Sequence, residues 1–178
     1  MRSESIALNY AEALFALGQK SGREAEYADR LDALAGAVAT SPLVHAVLMS
    51  PKVTKSVKVR LLTEAMAGAP QEFLLFLQAV VKRGRQGVLG EISAQYLGLL
   101  DMKLNRVRAG VIVAREPDAA LQQEIIKALE ARIGKEVLAS FTVDPEILGG
   151  VVVRLGDRVL DGSVKRRLTR LRRQLLSR

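Results

Sequence analysis

The chain has no cysteine and no tryptophan, and its 178 residues include a single histidine, His45. Without cysteine it can form neither disulfides nor thiolate metal sites, and it has no thiol nucleophile. A lone histidine cannot build a metal cluster, and no His-x-x-x-His or Glu-x-x-His spacing occurs. His45 stands in a mostly apolar predicted helix, so we interpret it as structural. The sequence predicts no metal and no cofactor.

Long apolar runs are also missing. The longest, FLLFL followed after Gln78 by AVV, is far shorter than the ~20 residues that a membrane-spanning helix needs. The first residues lack the uninterrupted apolar core and the small-residue cleavage site of a signal peptide. We therefore expect a soluble or peripheral protein.

Carboxylate pairs suited to acid–base catalysis are absent as well. The acidic residues are scattered over predicted helix faces, and no pair stands in a glycine-rich or aromatic setting that favours a raised pKa. The segment DPEILGGVVVRLGDRVLDGS is the one glycine-rich stretch that precedes a helix. It lacks the Gly-Lys-Ser/Thr of a P-loop, and a strand follows its paired glycines where a dinucleotide-binding motif needs a helix. No catalytic residue is predicted.

That glycine-rich segment is better explained as turn chemistry. Gly156-Asp157 suits a type II′ hairpin between two short strands. Asp161 lies just before the last helix, where its carboxylate would repel an anion from the helix N-terminus. The predicted structural residues are Gly149, Gly150, Gly156 and Gly162 at turns and Ser163 as the N-cap of the last helix.

Residues 1–108 show helical periodicity almost throughout, which predicts a six-helix bundle joined by short connections. Ser41-Pro42 and Ser50-Pro51 each place an N-cap serine before a proline, and predict the starts of the third and fourth helices. The other helices are predicted at Ser3–Lys20, Arg23–Thr40, Pro70–Arg83 and Val88–Val107.

The pattern changes after Arg108. Residues 109–178 contain four β-rich runs, AGVIVARE, EVLASFTV, GVVVRL and RVLD, with one amphipathic helix after the first run and another at the end. This order predicts a small α+β domain with a short sheet and a terminal amphipathic helix. The fold class is therefore α+β, with two domains, 1–108 and 109–178.

The first and fifth predicted helices are apolar over more of their circumference than the ~100° stripe a surface helix of a bundle needs. Two explanations remain open. Both helices could be fully buried in the bundle, or part of their apolar surface could accept a helix from another protein.

The last predicted helix has two faces. Val164, Leu168, Leu171 and Leu175 form an apolar stripe, which we expect to pack on the small sheet. From Val164 to Arg178 there are seven basic residues and no acid, and the whole chain has a net charge of +8. This field predicts an acidic partner. A basic nucleic-acid-binding module is the alternative, although aromatic residues are only 4% of the chain and none interleave with the basic ones.

Three stretches together resemble a known family. NYAEALFALG near the start, FLLFLQAVVKRGR in the fifth helix and VDPEILGGVVVRLGDRVLDGSVKRRLTRLRRQL at the end are similar to the delta subunit of bacterial F-type ATP synthase. That family includes the mitochondrial oligomycin-sensitivity-conferring protein. The resemblance covers nearly the whole chain.

The resemblance implies a stator subunit with no active site, present once per complex, that lets proton transport drive ATP synthesis. It implies that the N-terminal bundle binds the N-terminal helix of an alpha subunit of the catalytic head. The groove between the first and fifth helices would use Ala7, Tyr10, Ala11, Leu14, Phe76, Leu77 and Val80.

The resemblance further implies that the C-terminal domain binds the C-terminal ends of the peripheral-stalk b subunits. The stalk-binding region would include Leu168, Leu171, Arg172 and Leu175. The protein would then lie at the cytoplasmic face of a bacterial inner membrane, held there only through the complex, and would bind no nucleic acid.

Overall fold

A computed structural model describes residues 2–156 and 158–176. Over these residues the chain has eight α-helices and one four-stranded sheet, which confirms the predicted α+β class. The helices are α1 (Arg2–Ser21), α2 (Glu24–Thr40), α3 (Pro42–Met49), α4 (Lys55–Ala65), α5 (Gln71–Lys82), α6 (Leu89–Lys103), α7 (Ala119–Ile133) and α8 (Val164–Leu176). The strands are β1 (Arg106–Val113), β2 (Glu136–Val143), β3 (Val151–Leu155) and β4 (Arg158–Asp161).

Two compact units divide the chain, the first ending at Leu100 and the second beginning at Asp101. In the first unit, buried residues from α1 to α6 form one hydrophobic cluster. Tyr27, Phe73 and Tyr96 are its largest members, and each ring is fully buried. The phenol of Tyr27 donates to Glu72 and that of Tyr96 donates to the Glu24 carbonyl, so the polar ends of both buried rings are satisfied.

The two serine–proline pairs were predicted to begin helices, and only the first one does. Ser41 caps α3 as predicted, and its hydroxyl accepts a hydrogen bond from the Val44 N–H at 3.4 Å. The predicted start of the fourth helix at Ser50 is wrong, because α4 begins at Lys55. Ser50 instead ends α3, and its hydroxyl accepts from the Lys52 N–H at 3.2 Å. This local bond holds a turn rather than the first turn of a helix.

The sixth helix was predicted to continue to Val107, and this is also wrong. It ends at Lys103, and Asn105 in the turn that follows has a φ of 51°. The carboxylate of Asp101 accepts hydrogen bonds from the guanidinium groups of Arg106 and Arg108, the latter at 2.7 Å. Arg106 and Arg108 both lie in β1, so the expected domain boundary after Arg108 falls inside that strand.

The second unit is built on the sheet, whose strand order is β2-β1-β3-β4. β1 and β2 are parallel and are joined through α7, while β3 and β4 are antiparallel to their neighbours. Ala109, Val111 and Val113 alternate along β1 as buried residues, and Leu129 of α7 joins the same cluster. One face of the sheet is thus covered by α7.

Gly150 lies where two segments approach most closely. Its φ is +76°, and a Cβ built there would lie 2.5 Å from the carbonyl oxygen of Gly162. Gly149 and Gly162 flank the same crossing. At the β3–β4 turn, Gly156 has a φ of 55°, while Asp157 lies outside the described residues, so the type II′ turn stays a prediction.

We predict that Gly150→Ala lowers the free energy of unfolding by about 3 kcal/mol, because backbone strain of about 1–2 kcal/mol adds to a backbone clash. Gly134→Ala is the matched control: Gly134 has a φ of +73° but nothing lies within 4 Å of its added Cβ. The free energy of unfolding of Gly134→Ala should fall only by the backbone-strain part of that loss. Urea unfolding of both variants measures the difference, and equal losses would show that the close approach at Gly150 is not tight.

Candidate partner-binding surfaces

In the first unit, α1 carries two apolar stripes that are offset by one residue, or about 100° around the helix. The buried stripe is Ala7, Ala11, Leu14 and Gly18. The outer stripe is Ile6, Tyr10, Ala13 and Leu17, whose members are half-buried or exposed. The excess apolar arc predicted for α1 is therefore shared between the chain's own core and the surface.

The predicted groove residues lie mostly beneath the surface. Six of the seven are buried in the core cluster, and Tyr10 alone keeps part of its side chain exposed. The buried six are Ala7, Ala11, Leu14, Phe76, Leu77 and Val80. A partner cannot reach these side chains in this conformation, because the apolar face of α5 is used to pack against the other helices.

The Tyr10 ring marks the line along which α1 meets α5. It contacts the Phe76 ring edge to face, with the ring centroids 6.2 Å apart. On one flank of Phe76, α5 exposes Leu75 at 54% and leaves Ala79 half-buried. At one end, a depression of about 440 Å³ is lined by Ile6, Asn9, Tyr10, Arg83 and Arg85.

We call the surface formed by Ile6, Tyr10, Ala13 and Leu17, together with Leu75 and Ala79, the α1–α5 strip. Ile6, Ala13 and Leu17 are not among the groove residues that the sequence resemblance implied. The offset between the two stripes is the signal that separates them, since only one stripe can face the core.

In the second unit, α8 is attached at its start. The Ser163 hydroxyl accepts from the Arg166 N–H at 3.2 Å, and the Val164 N–H donates to the Gly149 carbonyl at 3.0 Å. Lys165 reaches Glu146 at 3.2 Å. Within the described part of α8 no residue is buried.

The expected packing of the α8 leucines on the sheet is therefore wrong. Leu168, Leu171 and Leu175 are 52%, 53% and 77% exposed, and Arg172 beside them is also exposed. α7 already covers one face of the sheet, and α8 adds no buried residue to it. Arg178, at the end of the basic run, lies outside the described residues.

Beside α8, an open depression of about 900 Å³ faces β4 and carries a strong positive charge. Its lining includes Lys165, Arg166, Arg167, Arg170 and Arg173, with Asp161 as the acidic member. The four apolar stripe residues are not among its lining residues. Within the described part of the chain, no cluster of three metal-ligating side chains occurs.

Asp161 completes the cap of α8. Its pKa is lowered because the hydroxyl and the backbone N–H of Ser163 hydrogen-bond to the carboxylate, and nearby Arg166 acts in the same direction. A carboxylate with a depressed pKa adds stability above its unfolded pKa, and that stability is lost as the pH falls through the folded pKa.

We predict that the Asp161 carboxylate titrates below its ordinary pKa of 3.8, and that Ser163→Ala raises this pKa because the hydroxyl bond is lost. Carbon-detected NMR of the side-chain carboxyl measures both midpoints. Glu146→Gln serves as a control, since it removes a neighbouring charge without touching the cap. An unchanged midpoint in Ser163→Ala would contradict the assigned cause.

The helices described here include no single one that is long and apolar enough to cross a membrane. The pair α2 and α3 meets the length and composition test together, but it is bent by 97°.

An α+β chain with two exposed apolar helix surfaces, one in each unit, is of the class that assembles with other subunits. Comparison with known proteins agrees. The family model described as ATP synthase delta (OSCP) subunit matches residues 6–175. The chain belongs to this family, as the sequence resemblance predicted.

Individual relatives match over almost their whole length. ATP synthase subunit delta of Gemmatimonas aurantiaca is 39% identical over 98% of this chain and 95% of its own. The same subunit of Anaeromyxobacter sp. is 38% identical, with 96% and 97% covered. A chain in the cryo-EM structure of the Toxoplasma gondii mitochondrial ATP synthase hexamer matches with a TM-score of 0.72 at 25% identity, over 96% of this chain and 97% of that one.

These matches confirm the predicted role as a delta-type subunit of an F-type ATP synthase, part of a membrane-associated complex. They give no support to the alternative of a nucleic-acid-binding module.

Proposed function

We propose that the chain is the peripheral-stalk adaptor that joins the catalytic head to the b subunits and catalyses no reaction itself. Two observations in separate units support this. The first unit leaves the α1–α5 strip uncovered, and the second leaves the leucine stripe of α8 uncovered. A chain that serves two partners needs one such surface for each.

The head-binding surface is the α1–α5 strip. Its occupant is the N-terminal helix of an alpha subunit, and residues 1–108 act as a six-helix bundle that presents the strip. The alpha-subunit helix contacts the residues of the outer stripe of α1. Of these, Tyr10 is also one of the groove residues predicted from the sequence. The six buried groove residues support the strip, because they pack α1 and α5 into the core.

The stalk-binding surface lies in residues 109–178, on α8, where the C-terminal ends of the b subunits bind. One copy of the chain per complex then holds the head against the stalk while the rotor turns, so that proton transport is coupled to ATP synthesis. In a bacterial cell this places the chain at the cytoplasmic face of the inner membrane, bound through the complex.

Leu17 and Leu8 provide a matched test of the head-binding surface. They are 38% and 37% exposed, and they lie nine residues apart on α1, about 180° around the helix. Leu17→Asp places a charge in the strip, and Leu8→Asp places the same charge on the opposite flank.

We predict that Leu17→Asp weakens binding of an alpha-subunit N-terminal peptide by about 2 kcal/mol, roughly 30-fold in Kd, because a buried leucine contact is replaced by a desolvated carboxylate. Leu8→Asp should bind like the unaltered chain. Calorimetry with the full-length protein measures both. Equal Kd values for the two variants would remove the strip from the proposal.

A further inference from the structure

The apolar stripe of α8 has the spacing of a coiled-coil seam. Val164, Leu168, Leu171 and Leu175 are separated by four, three and four residues, which is the alternation of the a and d positions of a heptad. On an α-helix these four side chains fall within about 60° of one another. We name this stripe the α8 seam.

Basic residues border the seam on both sides. Lys165 and Arg172 lie on one flank and Arg167 lies on the other, in the places that the e and g positions of a heptad occupy. α8 has no acidic residue that could neutralise them. The seam is therefore an exposed apolar line between two positive edges.

We propose that α8 forms one strand of a short coiled coil, and that its partner is an α-helix with apolar residues at heptad spacing and acidic residues at the flanking positions. This inference rests on the proposed stalk-binding function and specifies the chemistry of the b-subunit segment that binds there. Charge complementarity identifies the partner, since e and g charges set partner choice in coiled coils.

The width of the seam favours a helix over a lipid surface. A stripe limited to a and d positions is the narrow line of a coiled coil, whereas a helix lying on a membrane presents a broad apolar face. Thr169 and Arg170 lie outside the seam and are polar. Leu176, which is 76% exposed, also lies outside it, so the apolar surface widens only in the last turn.

A second copy of this chain does not fit the seam. Two α8 helices would place Arg167, Arg172 and Lys165 opposite residues of the same charge, and like charges at the flanking positions oppose pairing. The basic depression beside β4 shares Lys165 and Arg167 with the flanks of the seam but none of its apolar residues, so a partner seated there would contact Arg170 and Arg173 instead of the leucines.

Two charge-reversal pairs separate these sites. Arg167→Glu with Arg172→Glu reverses both flanks of the seam, and of these two residues only Arg167 also lines the depression. Arg170→Glu with Arg173→Glu makes the same change in charge on the side that faces the depression. Leu171→Asp disrupts the seam itself. Because no described residue of α8 is buried, all three variants should unfold thermally like the unaltered chain.

The first probe is the soluble C-terminal half of the b subunit of the same ATP synthase, titrated against the full-length chain in about 0.1 M salt, where flanking charges are only partly screened. Leu171→Asp should weaken binding roughly 30-fold. The seam reversal should weaken it roughly tenfold, and the depression reversal less than about threefold. A larger loss from the depression reversal than from the seam reversal would overturn the proposal.

The second probe is a designed heptad peptide with leucine at a and d, made once with glutamate and once with lysine at e and g. The unaltered chain should prefer the glutamate peptide, and the seam reversal should prefer the lysine peptide. A chain that binds both peptides equally, or neither, contradicts the coiled coil.

These outcomes distinguish a failure of the coiled coil from a failure of the proposed stalk-binding function. If the b fragment binds and all three variants bind equally well, the seam is wrong while the stalk adaptor stands. If the b fragment does not bind the unaltered chain, the proposed stalk function itself fails.

Discussion

α1 buries only one side of its apolar circumference against its own chain, and this arrangement organises the first unit. Ala7 and Ala11 are small enough for α1 to lie close to the core, and Leu14 completes the buried stripe. The stripe one residue earlier must then face outward. The contact between Tyr10 and Phe76 fixes that outer stripe beside α5. The same packing that stabilises the fold therefore determines which stripe stays open to the proposed partner helix, because neither stripe can turn without moving the other.

The second unit uses the opposite arrangement, in which a helix is held at one end and contributes nothing to the core. The crossing of Gly150 and Gly162 sets the direction of the chain before α8, and Ser163 and Asp161 cap its start. Beyond this turn, the helix depends on its own propensity, which is marginal for about 13 residues in water. The proposed partner helix along the leucines would offset that weakness.

The sequence predicts the class, the order of elements and the location of the strands, because alternation, helical period and glycine turns are local signals. Glu136–Val143 was predicted residue for residue. The errors arise where a particular side-chain contact determines where an element begins or ends. α6 ends early at Lys103, and Asp101 in its last turn binds Arg106 and Arg108, a pairing that helical periodicity does not reveal. Ser50-Pro51 has the composition of a helix N-cap, but the Ser50 hydroxyl accepts a hydrogen bond from the Lys52 N–H within a turn. Six of the predicted groove residues are buried, since the total apolar arc does not say which stripe faces the core.

Amide hydrogen exchange of the full-length chain tests the central claim most directly, because it reads both units in one experiment. The chain is measured alone, with the alpha-subunit peptide and with the b-subunit fragment. The account predicts that the peptide slows exchange in α1 and α5, that the fragment slows exchange in α8, and that the core of the other unit is unchanged each time. Slowing in α8 by the alpha peptide, or no slowing in α1 by it, would contradict an adaptor with a separate surface for each partner.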